Sequence, residues 1–418
     1  GVTDYRSRVV DVELRQRMTA MGAVLVDGPK AVGKTRTAEQ FGRTILRMDV
    51  DQAARAALEI APEQLFMNPT PIVFDEWQET PQLWNLVRRA VDDHDGKGLY
   101  VLTGSSRPRD DAQLHSGAGR IARLQMRPMS LFETGHSTGE VSLRRLLDGD
   151  APIGSASGLE LADLLEQIVI GGWPDLLDAR GREASLWLRD YLRTVAEVDV
   201  PGLGPRRNPA NIERLLAALG RATATPLNLS SLADDVGGSR GRIASETLTN
   251  YLDALTRLML IEPIEAWRPH MRSRTRLRAA PIHHFVDPSL GTAALGIGTD
   301  DLRRDLNAAG LHFESLVMRD LRVYGQPLGA TLSSWRDSQT GLEVDAVFEL
   351  PDGRWAGIEV KLGESAVDAA AESLLRMSAK IDQARHGQPV ALIVLTGGRY
   401  VYKRPDGVCV VPITALGP

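Results

Sequence analysis

The sequence predicts an α/β chain built from several domains, and three observations carry that prediction. Short β-branched runs alternate with helical segments through the first 150 residues, the pattern of a parallel sheet with helices on both faces. A glycine-rich turn joins the first of these runs to a helix. Near the carboxyl end strand-like segments return, and two of them carry acids and a lysine at alternate positions, which puts those side chains on one face.

In chain order, Val24–Val26 is a buried strand ending at Asp27-Gly28, and Thr35–Ile45 reads as a helix. Pro71–Phe74 and Leu99–Thr103 are two further buried strands, with a helix over Pro81–Val91 between them. This first domain is expected over residues 1–150. Gly149–Gly158 reads as a linker. Leu159–Ile170 and Ala184–Val195 are apolar-periodic helices punctuated by Gly171-Gly-Trp-Pro174; they make a helical lid or connector over 159–210, closing in the breaker-rich Pro201–Pro209. Ile212–Leu219, Leu229–Val236 (opened by Ser230) and Ser245–Leu258 read as helices, and Ile261–Trp267 as a strand. That is the order of a winged helix, expected over 211–285 and including the arginine-dense Arg268–Arg278. Residues 286–418 return to mixed α/β. Helices over His312–Val323 and Ala366–Ala384 accompany strands over Leu332–Trp335, Glu343–Glu349, Trp355–Val360 and Val390–Leu395.

The 418 residues are 43% hydrophobic and 25% charged, ordinary for globular domains, with a net charge of -5. A generic nucleic-acid coat would be basic overall, so any such surface must be local to one domain. Cys409 is the single cysteine, which excludes an intramolecular disulfide and a cysteine zinc cluster. No apolar run reaches the roughly 18 residues needed to cross a bilayer, and no secretory leader is read, so the expectation is a cytoplasmic protein without a membrane partner. Basic residues are almost all arginine; lysine occurs only at Lys30, Lys34, Lys97, Lys361, Lys380 and Lys403.

Gly28-Pro29-Lys30-Ala31-Val32-Gly33-Lys34-Thr35 has the spacing of a phosphate-cradling loop between a strand and a helix. Its glycines let backbone N–H groups close around phosphate oxygens, with Arg36 just inside the helix. Lys34 is expected to reach the β- and γ-phosphates of ATP, and Thr35 to ligate Mg²⁺. The strand Ile72–Phe74 ends in Asp75 and Glu76, expected as Mg²⁺ ligand and general base. Ser105, with Ser106 behind it, ends the next strand and is placed to contact the γ-phosphate or the water. Arg120 and Arg123 are candidates to neutralise charge on the transferred phosphoryl. An arginine donated by a neighbouring subunit would make hydrolysis depend on a homo-oligomer.

These residues carry a resemblance. Val24 through Ala38, Phe74-Asp-Glu-Trp-Gln78, Thr103-Gly-Ser-Ser106, and Gly119-Arg120 through Met129-Ser-Leu-Phe-Glu133 resemble the AAA-like (AAA_14 type) P-loop ATPases with a C-terminal DUF4143 region. The resemblance spans nearly the whole chain and is specific in the first 135 residues. It implies an AAA+-like sheet order and an ATP/ADP-binding, Mg²⁺-dependent ATPase; it implies little about biology.

A second cluster lies near the carboxyl end. Glu343 and Asp345 alternate on one strand, Glu359 and Lys361 on the next across the turn Pro351-Asp-Gly353, and Glu314 lies on the preceding helix. An acid, an Asp, then Glu-x-Lys across a hairpin resembles the PD-(D/E)xK nuclease core. Asp345 and Glu359, with Glu314, would hold Mg²⁺ beside a scissile phosphate, and Lys361 would stabilise charge or orient water. Two readings stand. In one, nucleotide state controls a C-terminal domain that acts on or binds nucleic acid, aided by the winged helix. In the other, the chain is a nucleotide-dependent switch or scaffold for a partner protein or promoter, in a toxin–antitoxin or defence setting, with an inactive nuclease-like fold.

Overall fold

The computed structural model describes residues 4–108, 119–155, 159–204, 207–267, 280–381 and 383–418. The chain divides into two compact units, Gly1–Pro128 with Leu255–Leu260, and Met129–Ala254 with Ile261–Pro418.

The first unit is built on a parallel sheet of β1 (Ala23–Asp27), β2 (Thr44–Arg47), β3 (Ile72–Asp75), β4 (Tyr100–Gly104) and β5 (Ile121–Gln125), in the order β2-β3-β4-β1-β5. Every residue of β1, β3 and β4 is buried, as expected for central parallel strands covered on both faces. Phe74, Trp77, Trp84 and Tyr100 anchor one side of this core. Asp27 lies opposite Gly104 and Gln125, so the loop leaving β1 emerges at the carboxyl edge of the sheet, where open α/β folds bind ligands.

Two elements depart from expectation. The helix after the glycine-rich turn runs only Lys34–Glu39, and the chain reverses near Gly42 to form edge strand β2 instead of staying helical to Ile45. A Cβ on Gly42 would lie 2.5 Å from a methyl of Val73, so only glycine allows that close passage. The arginine-bearing Ile121–Gln125 is a strand: Ile121, Ala122 and Leu124 are buried and Arg123 points outward.

In the second unit a helical block (Leu161–Ile170, Gly181–Thr194, Pro209–Arg221 and Pro288–Leu295) precedes a long helix, Leu306–Gly325. Then come β7 (Thr331–Arg336), β8 (Glu343–Glu349) and β9 (Trp355–Lys361) as an antiparallel meander. The helix Val367–Lys380 follows, with β10 (Ala391–Thr396) parallel to β9. β11 (Tyr402–Lys403) and β12 (Cys409–Pro412) complete a six-stranded sheet, β11-β12-β10-β9-β8-β7. Residues 129–150, assigned from sequence to the first domain, lie in this unit: β6 (Val141–Ser142) pairs with β13 (Leu416–Gly417), and Ser142 Oγ donates to Pro418 O at 2.8 Å.

A buried ion network ties the long helix down. Arg319 donates to Asp287 and Asp320 at 2.9 Å, all three side chains being at most 1% exposed. Asp287 also accepts the Gly172 N–H at 2.9 Å, and Asp320 the Leu131 N–H at 3.3 Å.

In the segment read as a winged helix, helices run Leu229–Gly237 and Ser245–Arg257, followed by isolated bridges Ile261↔Phe285 and Ile264↔Ile282. The first of these helices is capped by Asn228, which accepts the Ser231 N–H, and not by Ser230. The stretch Arg268–Arg278 lies outside the described residues, as do 156–158 of the linker and 205–206 of the Pro201–Pro209 breaker. Among the described residues no helix is long and apolar enough to cross a membrane.

Candidate functional site

The loop Gly28–Thr35 is shaped by backbone that few residues tolerate. Ala31 (φ 67°) and Gly33 (φ 99°) are left-handed, which turns successive N–H groups toward one concavity. A Cβ on Gly28 would sit 2.4 Å from the Met126 carbonyl oxygen. Arg8, buried, donates to Val32 O at 2.6 Å and Arg127 O at 2.8 Å, bracing the loop against the chain leaving β5.

Lys34 is 5% exposed and its Nζ donates to Pro29 O at 2.7 Å. Burial pulls its pKa down to about 8, against the opposing pull of Glu76, Asp75 and Asp27. A polyanion bound in the concavity would favour the charged ammonium, so the residues present suit phosphate. Thr35 Oγ1 donates to Asp75 Oδ1 at 2.7 Å, and Thr103 Oγ1 donates to the same oxygen at 2.6 Å. A hydroxyl and a carboxylate oxygen in contact are hard donors of the type Mg²⁺ takes.

Beside them is a closed polar triangle. Glu76 is left-handed (φ 56°), and its N–H donates to Thr103 Oγ1 at 3.1 Å. Its Oε2 accepts from Ser105 Oγ at 2.8 Å and from Gln78 Nε2, which also reaches Ser105 Oγ at 3.1 Å. Gly104 makes room, since a Cβ there would lie 2.8 Å from Trp77 Nε1. Gln78 lies in the motif, but the sequence alone assigns it no role. Its signal was a polar side chain two residues beyond the carboxylate pair, unreadable without knowing that the Glu76 backbone turns left-handed.

The arginines divide. Arg123 Nη2 lies 3.3 Å from Asp27 Oδ2, which Arg107 Nε also approaches at 3.2 Å, so Arg123 stands at the base of the loop. Arg120 does not join the site: it pairs with Asp92 at 2.7 Å, both exposed. Arg120, a candidate from sequence for the nucleotide of its own or of a neighbouring subunit, stays away from the loop of its own chain. It immediately precedes β5, which runs parallel to β1, so it lies at the amino edge of the sheet and the loop at the carboxyl edge. Lys30 and Arg36 are exposed on the flanks.

In the second unit Glu314, Asp345, Glu359 and Lys361 do converge. The Asp345 N–H donates to Glu359 Oε1 at 2.9 Å, the Val360 N–H to Asp345 Oδ2 at 2.8 Å, and Lys361 Nζ lies 3.7 Å from Glu359 Oε2. Glu314 lies beside Asp345. Burial first, then its neighbours' charge, holds Glu314 well above the carboxylate range; burial also raises Asp345 and, with Asp345 beside it, Glu359. A divalent cation would offset that repulsion, and the donor set suits one. Even so, among the described residues no three His, Cys, Asp or Glu side chains form a group that could hold a metal ion as they stand. Glu343 turns away, to Arg336 at 3.3 Å.

Fold and site together define a nucleotide-binding, ATPase-like class of protein. Residues 21–135 match the AAA domain family AAA_14, residues 309–416 the domain of unknown function DUF4143, and residues 161–301 the domain of unknown function DUF8612. The chain thus carries an AAA-domain match followed by a C-terminal DUF4143 match. It is similar to Uncharacterized protein Rv2008c of Mycobacterium tuberculosis and Uncharacterized protein Mb2031c of Mycobacterium bovis; each is 26% identical over 355 residues, covering 83% of this chain and 72% of the relative.

Proposed function

We propose that the first unit binds and hydrolyses ATP and that its nucleotide state controls a nuclease-like, nucleic-acid-directed second unit. The observation that carries the first part is the gathering of Lys34, Thr35, Asp75, Glu76 and Ser105 at the carboxyl edge of one sheet. The loop N–H groups and Lys34 bind the phosphates. Mg²⁺, held by Thr35 and Asp75, would supply charge neutralisation of the phosphoryl oxygens. Glu76 takes a proton from the attacking water, whose oxygen bonds to the γ-phosphorus as the bridging bond breaks and ADP leaves with its electron pair. Ser105 orients, and Gln78 acts through Glu76 as a positioning residue. Arg123 fixes Asp27 at the root of the loop; Arg120 can serve only a neighbouring subunit.

For the second unit, the helix, three-stranded meander, helix and parallel strand, with the acids and lysine at one end of β8 and β9, support a PD-(D/E)xK-like reading. The three helices with their paired segments around residues 261–285 support the winged helix. A scaffold reading of the second unit is favoured by one observation, that among the described residues no three His, Cys, Asp or Glu side chains form a group that could hold a metal ion as they stand.

Measuring Mg²⁺-dependent phosphate release by the full chain tests the ATPase. Lys34→Ala should abolish nucleotide binding, and Glu76→Gln should bind ATP while slowing turnover by roughly 10²–10⁴-fold. Undiminished turnover in Glu76→Gln would refute the assigned base. Cleavage or cation-dependent binding of nucleic acid that disappears in Asp345→Asn separates the nuclease-like reading from the scaffold.

A further inference from the structure

A cleft of about 310 Å³ opens on the carboxylates of the second unit. Trp335 and Arg336 of β7 line one side, Pro226 and Ile282 another, and Glu314 and Asp345 line it where the cluster begins. Pro226 and Ile282 are bridged to each other. Trp335 is half-buried, its inner part packed against the core that contains Val344, Val347 and Trp355.

Each dimension of this cleft restricts what can enter. Its volume is at the lower end of small-molecule sites, which start at roughly 300 Å³, enough for one base with its sugar and too little for a base pair with its stacked neighbours. An indole with aliphatic Ile282 and Pro226 suits a flat heteroaromatic ring, and stacking of this kind is tolerant of base identity. Polarity then changes along the cleft, from these apolar groups to the acids that suit a cation, with Arg336 on the same strand as Trp335. Arg336 is paired with Glu343, both about 60% exposed. An ion pair in that setting contributes at most about 1 kcal/mol, so a phosphate can take the guanidinium over.

We propose that this cleft receives one unpaired nucleotide of a nucleic-acid strand, its base against Trp335 and its phosphate toward Glu314, Asp345, Glu359 and Lys361. The unit would then act on single-stranded or frayed ends in preference to intact duplex. The inference rests on reading that cluster as a phosphodiester site.

The test is fluorescence anisotropy with the full chain, a labelled single-stranded oligonucleotide, and the blunt duplex of the same sequence, with Ca²⁺ replacing Mg²⁺ to prevent turnover. The single strand should bind at least about tenfold more tightly. Trp335→Ala should weaken it by about 5- to 100-fold, the effect of losing one stacked base, while Trp335→Phe stays within about threefold. Because Trp335 also packs on the core, Ala280→Trp serves as a second variant: it adds bulk at an exposed cleft residue, removes no core contact, and should weaken single-strand binding alike. Equal affinity for duplex, or indifference to both Trp335→Ala and Ala280→Trp, overturns the cleft assignment. If binding then still needs Asp345, the phosphodiester reading survives it. Absence of any nucleic-acid binding overturns both.

Discussion

At Glu76 a single hydroxyl proton is decisive. Ser105 has one to give, so it donates either to Glu76 or to an incoming γ-phosphate, and Gln78 keeps the carboxylate oriented when that proton leaves. Gln78→Glu puts a second carboxylate against the first. Their repulsion turns the Glu76 carboxylate away from the water, so turnover in a phosphate-release assay should fall by about tenfold or more, with ATP affinity little changed. Turnover identical to wild type would remove Gln78 from the site. In the second unit, Asp345→Asn removes one of three mutually repelling acids. In divalent-free buffer at pH 8 it should raise stability by about 1 kcal/mol in urea unfolding, while abolishing stabilisation by Mg²⁺.

At the scale of elements, two close approaches and one ion network hold the sites in place. Gly28→Ala would drive a methyl into the Met126 carbonyl, displacing the loop from β5, and should cost nucleotide affinity at least about tenfold in a titration without unfolding the first unit. Gly172 is tighter still: a Cβ would lie 2.0 Å from Met129 O. Arg319→Met strands Asp287 and Asp320 in the interior, and removing one partner of such a network typically costs about 3–5 kcal/mol. That loss should appear as faster hydrogen exchange along Leu306–Gly325, the helix that carries Glu314.

Across the second unit as a whole, two families of buried groups oppose each other in pH. Burial pulls His283 and His312 down to about 4, and His284 lower than its usual range. Three of their ring nitrogens, His283 Nε2, His284 Nε2 and His312 Nδ1, are buried without a partner among the described residues. The unfolded chain binds more protons at His283 and His312 between pH 6.5 and 4, so stability falls as pH drops through that window, by about 2–3 kcal/mol for each of the two. The acids run the other way: Glu314, Asp345 and Glu359 hold protons in the folded state above the ordinary carboxylate range, so stability falls as pH rises through their raised values. Urea unfolding at pH 5, 6.5 and 8.5 should show both losses. Glu359→Gln, or Mg²⁺, should reduce the alkaline loss and leave the acid loss untouched.

The division between sequence and structure follows from distance along the chain. Gly28 to Thr35 is one contiguous loop and Asp75-Glu76 the end of one apolar run, so local spacing and hydrophobic pattern suffice to read them. The alternation in Glu343–Glu349 and Trp355–Lys361 likewise places their acids and lysine before any tertiary contact is known. β2 and β5 were not legible as strands, because Gly42 and a lone outward arginine interrupt patterns only four or five residues long. With β5 unread, Arg120 could not be put at the amino edge. Only the tertiary structure decided that Gln78 and Ser105 meet on Glu76, that residues 129–150 pair with the far end of the chain, and that Trp335 lines a cleft beside Glu314 and Asp345. Each of those depends on the register of strands and helices distant in sequence, which packing sets and no local pattern encodes.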